Sequence, residues 1–261
     1  MKHKLVSIIT PLYNGSSFIS DTIKSVQEQT FKDWEMIIVD DCSTDCSAAV
    51  VRAFSDHDPR IKLITLSFNS GAAVARNKAI ELAEGRYIAF LDSDDLWLPQ
   101  KLEKQLAIMK ANDYSFVFSA YDKIDQEGHV FGCVGVPDKV SYADLLKIPS
   151  IGCLTAIYDT DYFETVYMPL IRKRQDLGLW LKLLKKANYA YGLNESLAQY
   201  RVRTDSISAN KANAAMYTWL LYREVEGLSL IKSCYYFTHY AVNGLLRTKL
   251  PALARVLGVL N

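Results

Sequence analysis

Tyr87-Ile88-Ala89-Phe90-Leu91-Asp92-Ser93-Asp94-Asp95 is an apolar run that ends abruptly in three carboxylates. Its apolar part follows Gly85 and reads as a short buried strand. Three similar units precede it. Residues 5–10 (Leu-Val-Ser-Ile-Ile-Thr) form a β-branched strand bounded by Pro11, and Tyr13-Asn14-Gly15 is turn chemistry. Apolar positions Phe18, Ile19, Ile23 and Val26 then recur at helical spacing from Ser17 to about Gln29. A second strand, 35–39, ends at Asp40-Asp41, and Ser43-Thr44-Asp45 is placed to cap a helix running to about Phe54. A third strand, 61–66, leads through Asn69-Ser70-Gly71 into a helix over about 72–83.

The order β-α-β-α-β-α-β predicts an α/β fold, a Rossmann-like and mainly parallel central sheet flanked by helices on both faces. Ligands of such sheets bind beyond the carboxyl ends of the strands. Here those ends carry Thr10-Pro11, Asp40-Asp41, Asn69–Gly71 and the acidic run 92–95, so polar and acidic groups gather along one edge. Downstream, 101–110 reads as a helix, 114–121 as a strand, 122–150 as irregular, and 151–158 as a strand. Leu177, Trp180, Leu181 and Leu184 give helical spacing over 177–187. No internal repeat or low-complexity segment is present.

Bulk properties narrow the class. The chain has 261 residues, half of them hydrophobic, enough for one large α/β domain with an appendage. A net charge of +1 gives no global field that would attract nucleic acid. Five cysteines form an odd set without paired CxxC spacing, and Cys42 with Cys46 lacks a second ligand pair for zinc; free thiols in a reducing cytosol are expected. Met-Lys-His-Lys runs straight into a strand without an apolar leader or cleavage signal, which predicts a cytoplasmic location.

Clustered carboxylates repel one another, and a divalent cation resolves the conflict. Hard oxygen ligands suit Mg²⁺ or Mn²⁺, which commonly bind one or two carboxylates plus substrate phosphates. If the segment is extended, Asp92 and Asp94 share a face and Asp95 points elsewhere. The alternative is that Asp94 or Asp95 caps a helix beginning near Leu98, which would employ one carboxylate and leave two unexplained.

Six segments together resemble glycosyltransferase family 2. They are Thr10-Pro11-Leu12-Tyr13-Asn14, Val39–Asp45, Asn69-Ser70-Gly71 with Ala75-Arg76-Asn77, Leu91–Asp95, Gln175–Leu181, and Tyr200–Arg203 with Ser206-Ile207-Ser208. The resemblance spans residues 5 to about 212 and implies the GT-A fold and an inverting, metal-dependent sugar transfer. It implies that Pro11 and Tyr13 flank the nucleobase, that Asp40 bonds the base edge, and that Arg76 lies near the nucleotide. Asp92 would touch the ribose or help bind Mn²⁺ or Mg²⁺, with Asp94 the main ligand and Asp95 facing the sugar. Asp176 would be the general base, and Trp180, Arg201 and Arg203 would lie toward sugar or acceptor. An inverting transfer needs a base for the acceptor hydroxyl and a neutraliser for the leaving diphosphate, so two separate acidic sites are required. For Asp176 the alternative is a cap of the helix over 177–187.

The chain departs from the family pattern in two places. Gln175 replaces a frequent Glu, and Arg203 stands where His is common; Arg could contact phosphate but not metal. The Gln-x-x-Arg-Trp motif of processive members is absent, which favours single additions. The implied donor is a nucleotide-sugar, UDP before dTDP or GDP. The implied acceptor is a lipid-linked saccharide of surface polysaccharide synthesis.

Residues 1–100 are expected to form the nucleotide-sugar-binding half, 101–212 the acceptor-binding half, and 213–261 a C-terminal helical tail. No acidic residue follows Glu226, and Lys232, Arg247, Lys249 and Arg255 give 227–261 a charge of +4, leaving −3 elsewhere. The apolar positions Tyr235, Tyr236, Phe237, Tyr240, Leu245, Leu246, Leu250, Leu253 and Leu257 make the tail a basic amphipathic segment suited to the anionic inner leaflet of a membrane. The alternative is a pair of helices packed on the domain or in a homodimer. Three rivals fit less well. A nucleotidyltransferase needs a glycine-rich basic loop after the first strand, an oxidoreductase needs GxGxxG, and a non-catalytic scaffold would not need every acidic position.

Overall fold

The computed structural model describes residues 5–203 and 211–250. Ser206-Ile207-Ser208 of the last motif and Leu253, Arg255 and Leu257 of the tail lie outside the described residues. The first half follows the expected alternation: β1 Val6–Leu12, α1 Ile19–Gln27, β2 Trp34–Asp40, α2 Ser47–Ser55, β3 Ile61–Thr65, α3 Ala72–Glu81 and β4 Tyr87–Phe90. Then come β5 Leu96–Trp97, α4 Lys101–Asn112, β6 Phe116–Ile124, β7 Val130–Val134, β8 Lys139–Val140, α5 Tyr142–Lys147, β9 Ile157–Asp159 and α6 Thr160–Phe163. The chain continues through α7 Gln175–Leu184, β10 Ala190–Arg201, α8 Lys211–Leu220 and α9 Leu230–Lys249.

One sheet in the order β3-β2-β1-β4-β9-β6-β10-β5 joins both halves, with β7 paired to β6 and β8 to β10. β3, β2, β1 and β4 are parallel. β9 is antiparallel to β4 and β6, and β10 is parallel to β6. The strands β1, β2, β3, β4, β6 and β10 therefore run in one direction, and β9 is reversed between them. The sheet is mixed rather than wholly parallel.

Alternation along the strands builds two cores. Ile9, Ile37, Val39, Ile88 and Phe90 pack with α3 and α7 on one face. Ile8, Met36, Ile38 and Ala89 pack with α1 and α4 on the other. Central strands covered on both faces read as continuous apolar runs, which is why β1, β2 and β4 were legible.

Differences concentrate in the second half. Residues 122–150 are not irregular; they hold the end of β6, then β7, β8 and α5. The strand expected over 151–158 is only β9, preceded by a 3-10 turn at Cys153–Thr155. β10 has no counterpart in the sequence reading. Its polar residues and two register shifts against β6 break the period-two signal.

The described part of the tail packs on the domain along one face. Tyr236 and Phe237 of α9 pack against the core shared with α7, and Phe237 meets Trp219 edge-on at 5.4 Å. Ile231, Tyr235, Val242 and Leu245 stay exposed at helical spacing on another face. Among the described residues no helix is long and apolar enough to cross a membrane. All five cysteines are free.

Gly178 on α7 fixes how closely that helix approaches the loop before it. A Cβ there would lie 2.4 Å from Pro169 Cγ and 3.2 Å from Leu221 Cδ1. Gly178→Ala is expected to destabilise the fold by roughly 1–3 kcal/mol through overpacking, read as a lower urea midpoint at unchanged slope.

Candidate active site

The carboxyl ends of β1, β2 and β4 meet the start of α7 and the end of β10. The β1 and β2 loops are laced together by side chains acting on backbone. Asn14, in the left-handed region at φ 48°, accepts from Thr44 N–H at 2.8 Å, and its own N–H donates to Ser43 Oγ at 2.9 Å. Gly15 N–H donates to Ser47 Oγ, and Ser16 N–H to Asp45 Oδ2 at 3.1 Å. Asp45 also accepts from Ser47 N–H at 2.9 Å, while Cys46 occupies the cap position of α2 without a side-chain bond. Burial works to raise the Asp45 pKa, but the Ser47 and Ser16 hydrogen bonds outweigh it and hold it at about 2.

Asp41 has a structural task that the sequence reading did not assign. Its two oxygens accept from Ser70 N–H at 2.6 Å and Gly71 N–H at 2.7 Å, and its backbone carbonyl accepts from Asn69 Nδ2. Gly71 has φ 91°, which a side chain would strain. The adjacency of Asp41 to Asp40 was the available signal. Asp40 is buried, with Oδ1 accepting from Ser43 N–H and Ser43 Oγ. Pro11 is half-buried on β1, in register with Val39 of β2, and the Tyr13 ring stands 51% exposed.

The acidic run is a turn rather than an extended segment: Asp95 N–H donates to Asp92 O at 3.1 Å. The partition of its carboxylates is nevertheless as expected. Asp92 and Asp94 side chains are 30% and 29% exposed, whereas Asp95 is buried. Asp95 accepts from Arg201 N–H at 2.9 Å, so its carboxylate points into the protein and not toward a sugar. None of the three caps a helix, since α4 begins at Lys101 behind Gln100. Burial first, then the Asp92 charge, raises the Asp94 pKa against the pull of Arg203. Burial, Asp94 and Asp92 raise that of Asp95 further.

Arg76 stands behind this turn. Its guanidinium donates to Asp92 Oδ1 at 2.5 Å and to Gln175 Oε1 at 2.9 Å. Burial works to lower its pKa, and the Asp92 charge outweighs that, with Asp176 contributing. Arg76 therefore acts on the carboxylate and on the start of α7 instead of offering its charge to an open groove. Gln175, the departure from the family pattern, is its second partner. Asp176 lies in the first turn of α7, half-buried, and accepts no hydrogen bond among the described residues. The cap position belongs to Arg174 at φ 66°.

Two further candidates, Trp180 and Arg201, are placed differently from the acceptor-side expectation. Trp180 is buried, edge-on to Phe90 at 5.3 Å, because it faces the sheet from α7. Arg201 is buried, donating to Asp94 O at 2.9 Å and Gln126 O at 2.7 Å, with its guanidinium 4.9 Å from the Phe18 ring. It clamps the acidic turn to the β6–β7 hairpin. Arg203 Nη1 lies 3.4 Å from Asp94 Oδ2, with its guanidinium carbon 5.1 Å from the Phe18 ring. Phe18, read from sequence as a helix position, is the ring on which both arginines rest.

The chain matches the model of Glycosyl transferase family 2 over residues 7–142. It is 50% identical over 240 residues to the putative teichuronic acid biosynthesis glycosyltransferase TuaG of Bacillus subtilis, covering 92% of this chain and 95% of that one. It is 39% identical over 246 residues to the Escherichia coli UDP-Glc:alpha-D-GlcNAc-diphosphoundecaprenol beta-1,3-glucosyltransferase WfgD, covering 94% and 95%. In fold it is similar to the mannosyltransferase PcManGT from Pyrobaculum calidifontis, solved with GDP-Man and Mn²⁺. The TM-score is 0.69 at 17% identity, over 97% of this chain and 78% of that one.

Arg76→Gln would leave Asp92 without its buried cation. The expected loss is about 3 kcal/mol, the low end for a broken buried pair because Asp92 still reaches water. Urea denaturation with and without the substitution measures it.

Proposed function

We propose, from the premise that this chain belongs to glycosyltransferase family 2, that it moves a hexose from a UDP-sugar to a hydroxyl of a lipid-linked saccharide, with inversion and with a divalent metal. It is a nucleotide-sugar glycosyltransferase of surface polysaccharide synthesis with the GT-A fold. UDP-Glc and a GlcNAc-diphospholipid acceptor, as in the name of its E. coli relative, are our assignment for the substrates. The observation that carries the reading is the Arg76 bridge, which sets Asp176 beside the Asp92–Asp94 turn although these lie far apart in the chain.

In this reading residues 1–100 supply the donor side. The exposed Tyr13 ring stacks on the base with Pro11 beneath it, and Asp40 takes the base edge with the oxygen not held by Ser43. The part-exposed carboxylates of Asp92 and Asp94 fit Mn²⁺ or Mg²⁺: they are hard oxygen donors, and the Asp94 pKa is raised by burial and by its neighbour. When bound, the cation neutralises charge developing on the leaving diphosphate. Residues 101–212 supply the acceptor side. Asp176 accepts the proton of the attacking hydroxyl as that oxygen bonds to the anomeric carbon, and the electron pair of the broken C–O bond leaves with UDP. Arg76 bonds Asp92 and holds the start of α7 in place.

The test is calorimetric UDP titration with and without Mn²⁺, alongside turnover with UDP-Glc. Asp94→Ala should lose the metal-dependent part of UDP affinity. Asp176→Asn should keep UDP binding and lower kcat by about 10²–10⁴-fold. Full turnover in Asp176→Asn would remove it as the base, and UDP binding without turnover in the wild type would mark a non-catalytic nucleotide-binding domain.

The tail, 213–261, brings the enzyme to the cytoplasmic face of the membrane through the exposed stripe Ile231, Tyr235, Val242 and Leu245, with Lys232 and Lys249 exposed on the same helix. Replacing Ile231 and Leu245 together by Glu should abolish sedimentation with anionic vesicles without lowering the melting temperature. Equal sedimentation would exclude the stripe as the contact.

A further inference from the structure

The two carboxylates assigned to the metal each face an arginine of this chain. Asp92 Oδ1 accepts from Arg76 Nη2 at 2.5 Å. Asp94 Oδ2 lies 3.4 Å from Arg203 Nη1, and the Asp94 and Arg203 side chains are 29% and 25% exposed. The second contact is longer than the ~2.7–2.9 Å of a charge-assisted bond. Arg203 therefore opposes Asp94 by its charge without closing the carboxylate. It is also braced beside Asp94. Its guanidinium carbon lies 5.1 Å from the Phe18 ring, and that of Arg201 lies 4.9 Å from the same ring. Arg201 is itself fixed by its bonds to Asp94 O and Gln126 O. The ring face favours a positive charge at this place.

Clustered acids attract a divalent cation because their repulsion is otherwise not offset. Here Arg76 and Arg203 already offset it. A divalent cation on Asp94 would have the Arg203 charge as its near neighbour, and like charges at such range repel even where screening is substantial. A diphosphate changes the balance. Its oxygens coordinate Mg²⁺ or Mn²⁺ and also accept from a guanidinium fork.

We infer that Arg203 makes metal binding conditional on the nucleotide diphosphate, an inference that rests on the Asp92–Asp94 metal site proposed above. Arg203 holds down the affinity of the free protein for a divalent cation, and the diphosphate relieves that opposition. Metal and nucleotide then bind cooperatively, each raising the affinity for the other by the same factor. The departure from the family pattern acquires a meaning: a neutral imidazole at this position would offer a ligand, whereas Arg203 offers a charge.

The test follows unbound Mn²⁺ through its electron paramagnetic resonance signal, with and without saturating UDP, in the wild type, Arg203→Gln and Arg203→Lys. Asp94→Ala supplies the background. It accounts for Mn²⁺ held by UDP in solution and for uptake by Asp125, Glu127 and His129, whose ligand atoms lie within 4.8 Å of one another. Without UDP, Arg203→Gln should bind Mn²⁺ at least about tenfold more tightly than the wild type. Arg203→Lys keeps the charge and should stay near the wild type. The factor by which UDP raises Mn²⁺ affinity should fall in Arg203→Gln by about the same ratio. The expected effect is a gain of binding, which a misfolded variant would not produce. Equal or weaker Mn²⁺ binding by Arg203→Gln without UDP, tight binding by Arg203→Lys, or an unchanged UDP factor overturns the inference and leaves the metal site standing. Mn²⁺ uptake no greater than in Asp94→Ala, in the wild type and Arg203→Gln alike and with UDP present, overturns the metal site and the inference with it.

Discussion

The site depends on a charge that cannot be given up. Carboxylates collected at one sheet edge and part-dehydrated by the cores would tend to take up protons, and a protonated acid is a poor ligand for a cation. The Arg76 guanidinium, buried and held above its ordinary pKa by Asp92, sets a fixed positive charge against the first of them. Its second bond, to Gln175, ties the same charge to α7. One side chain thus joins the carboxylates at the end of β4 to the start of α7.

Around it, the acids are sorted by the donors they meet. Asp41 spends both oxygens on backbone N–H groups, and Asp45 is fixed by Ser16 and Ser47. Asp95 turns inward to the Arg201 N–H. These three carboxylates shape loops. Asp92 and Asp94 keep part of their surface in water, and among the described residues the Asp94 carboxylate meets a long contact from Arg203. The geometry that leaves these two acids part-exposed is made by the ones that are not.

The sequence was most readable where a local pattern and a global constraint coincide. β1, β2 and β4 are buried on both faces and show it as apolar runs, and Asp40, Asp41 and Asp92 follow directly at their ends. The inward direction of Asp95 could not be had from alternation, because the segment is a turn held by a bond to Arg201 on a strand more than a hundred residues later. Trp180 and Arg201 illustrate the same limit. Helical spacing places Trp180 on an apolar face but does not say whether that face meets sheet or ligand. Arg201 reads as an exposed charge until the carbonyls of Asp94 and Gln126 are brought to it. β10 was lost for a different reason: its register shifts interrupt the very period by which strands are recognised.

The two faces of the sheet carry different parts of the site. The laced β1 and β2 loops lead into α1 and α2 on one side. α5, α7 and α9 belong to the core on the other. β4 runs between them, and Arg76 is the link across its end. Because both layers pack on the same strands, a change at that link is carried to each of them.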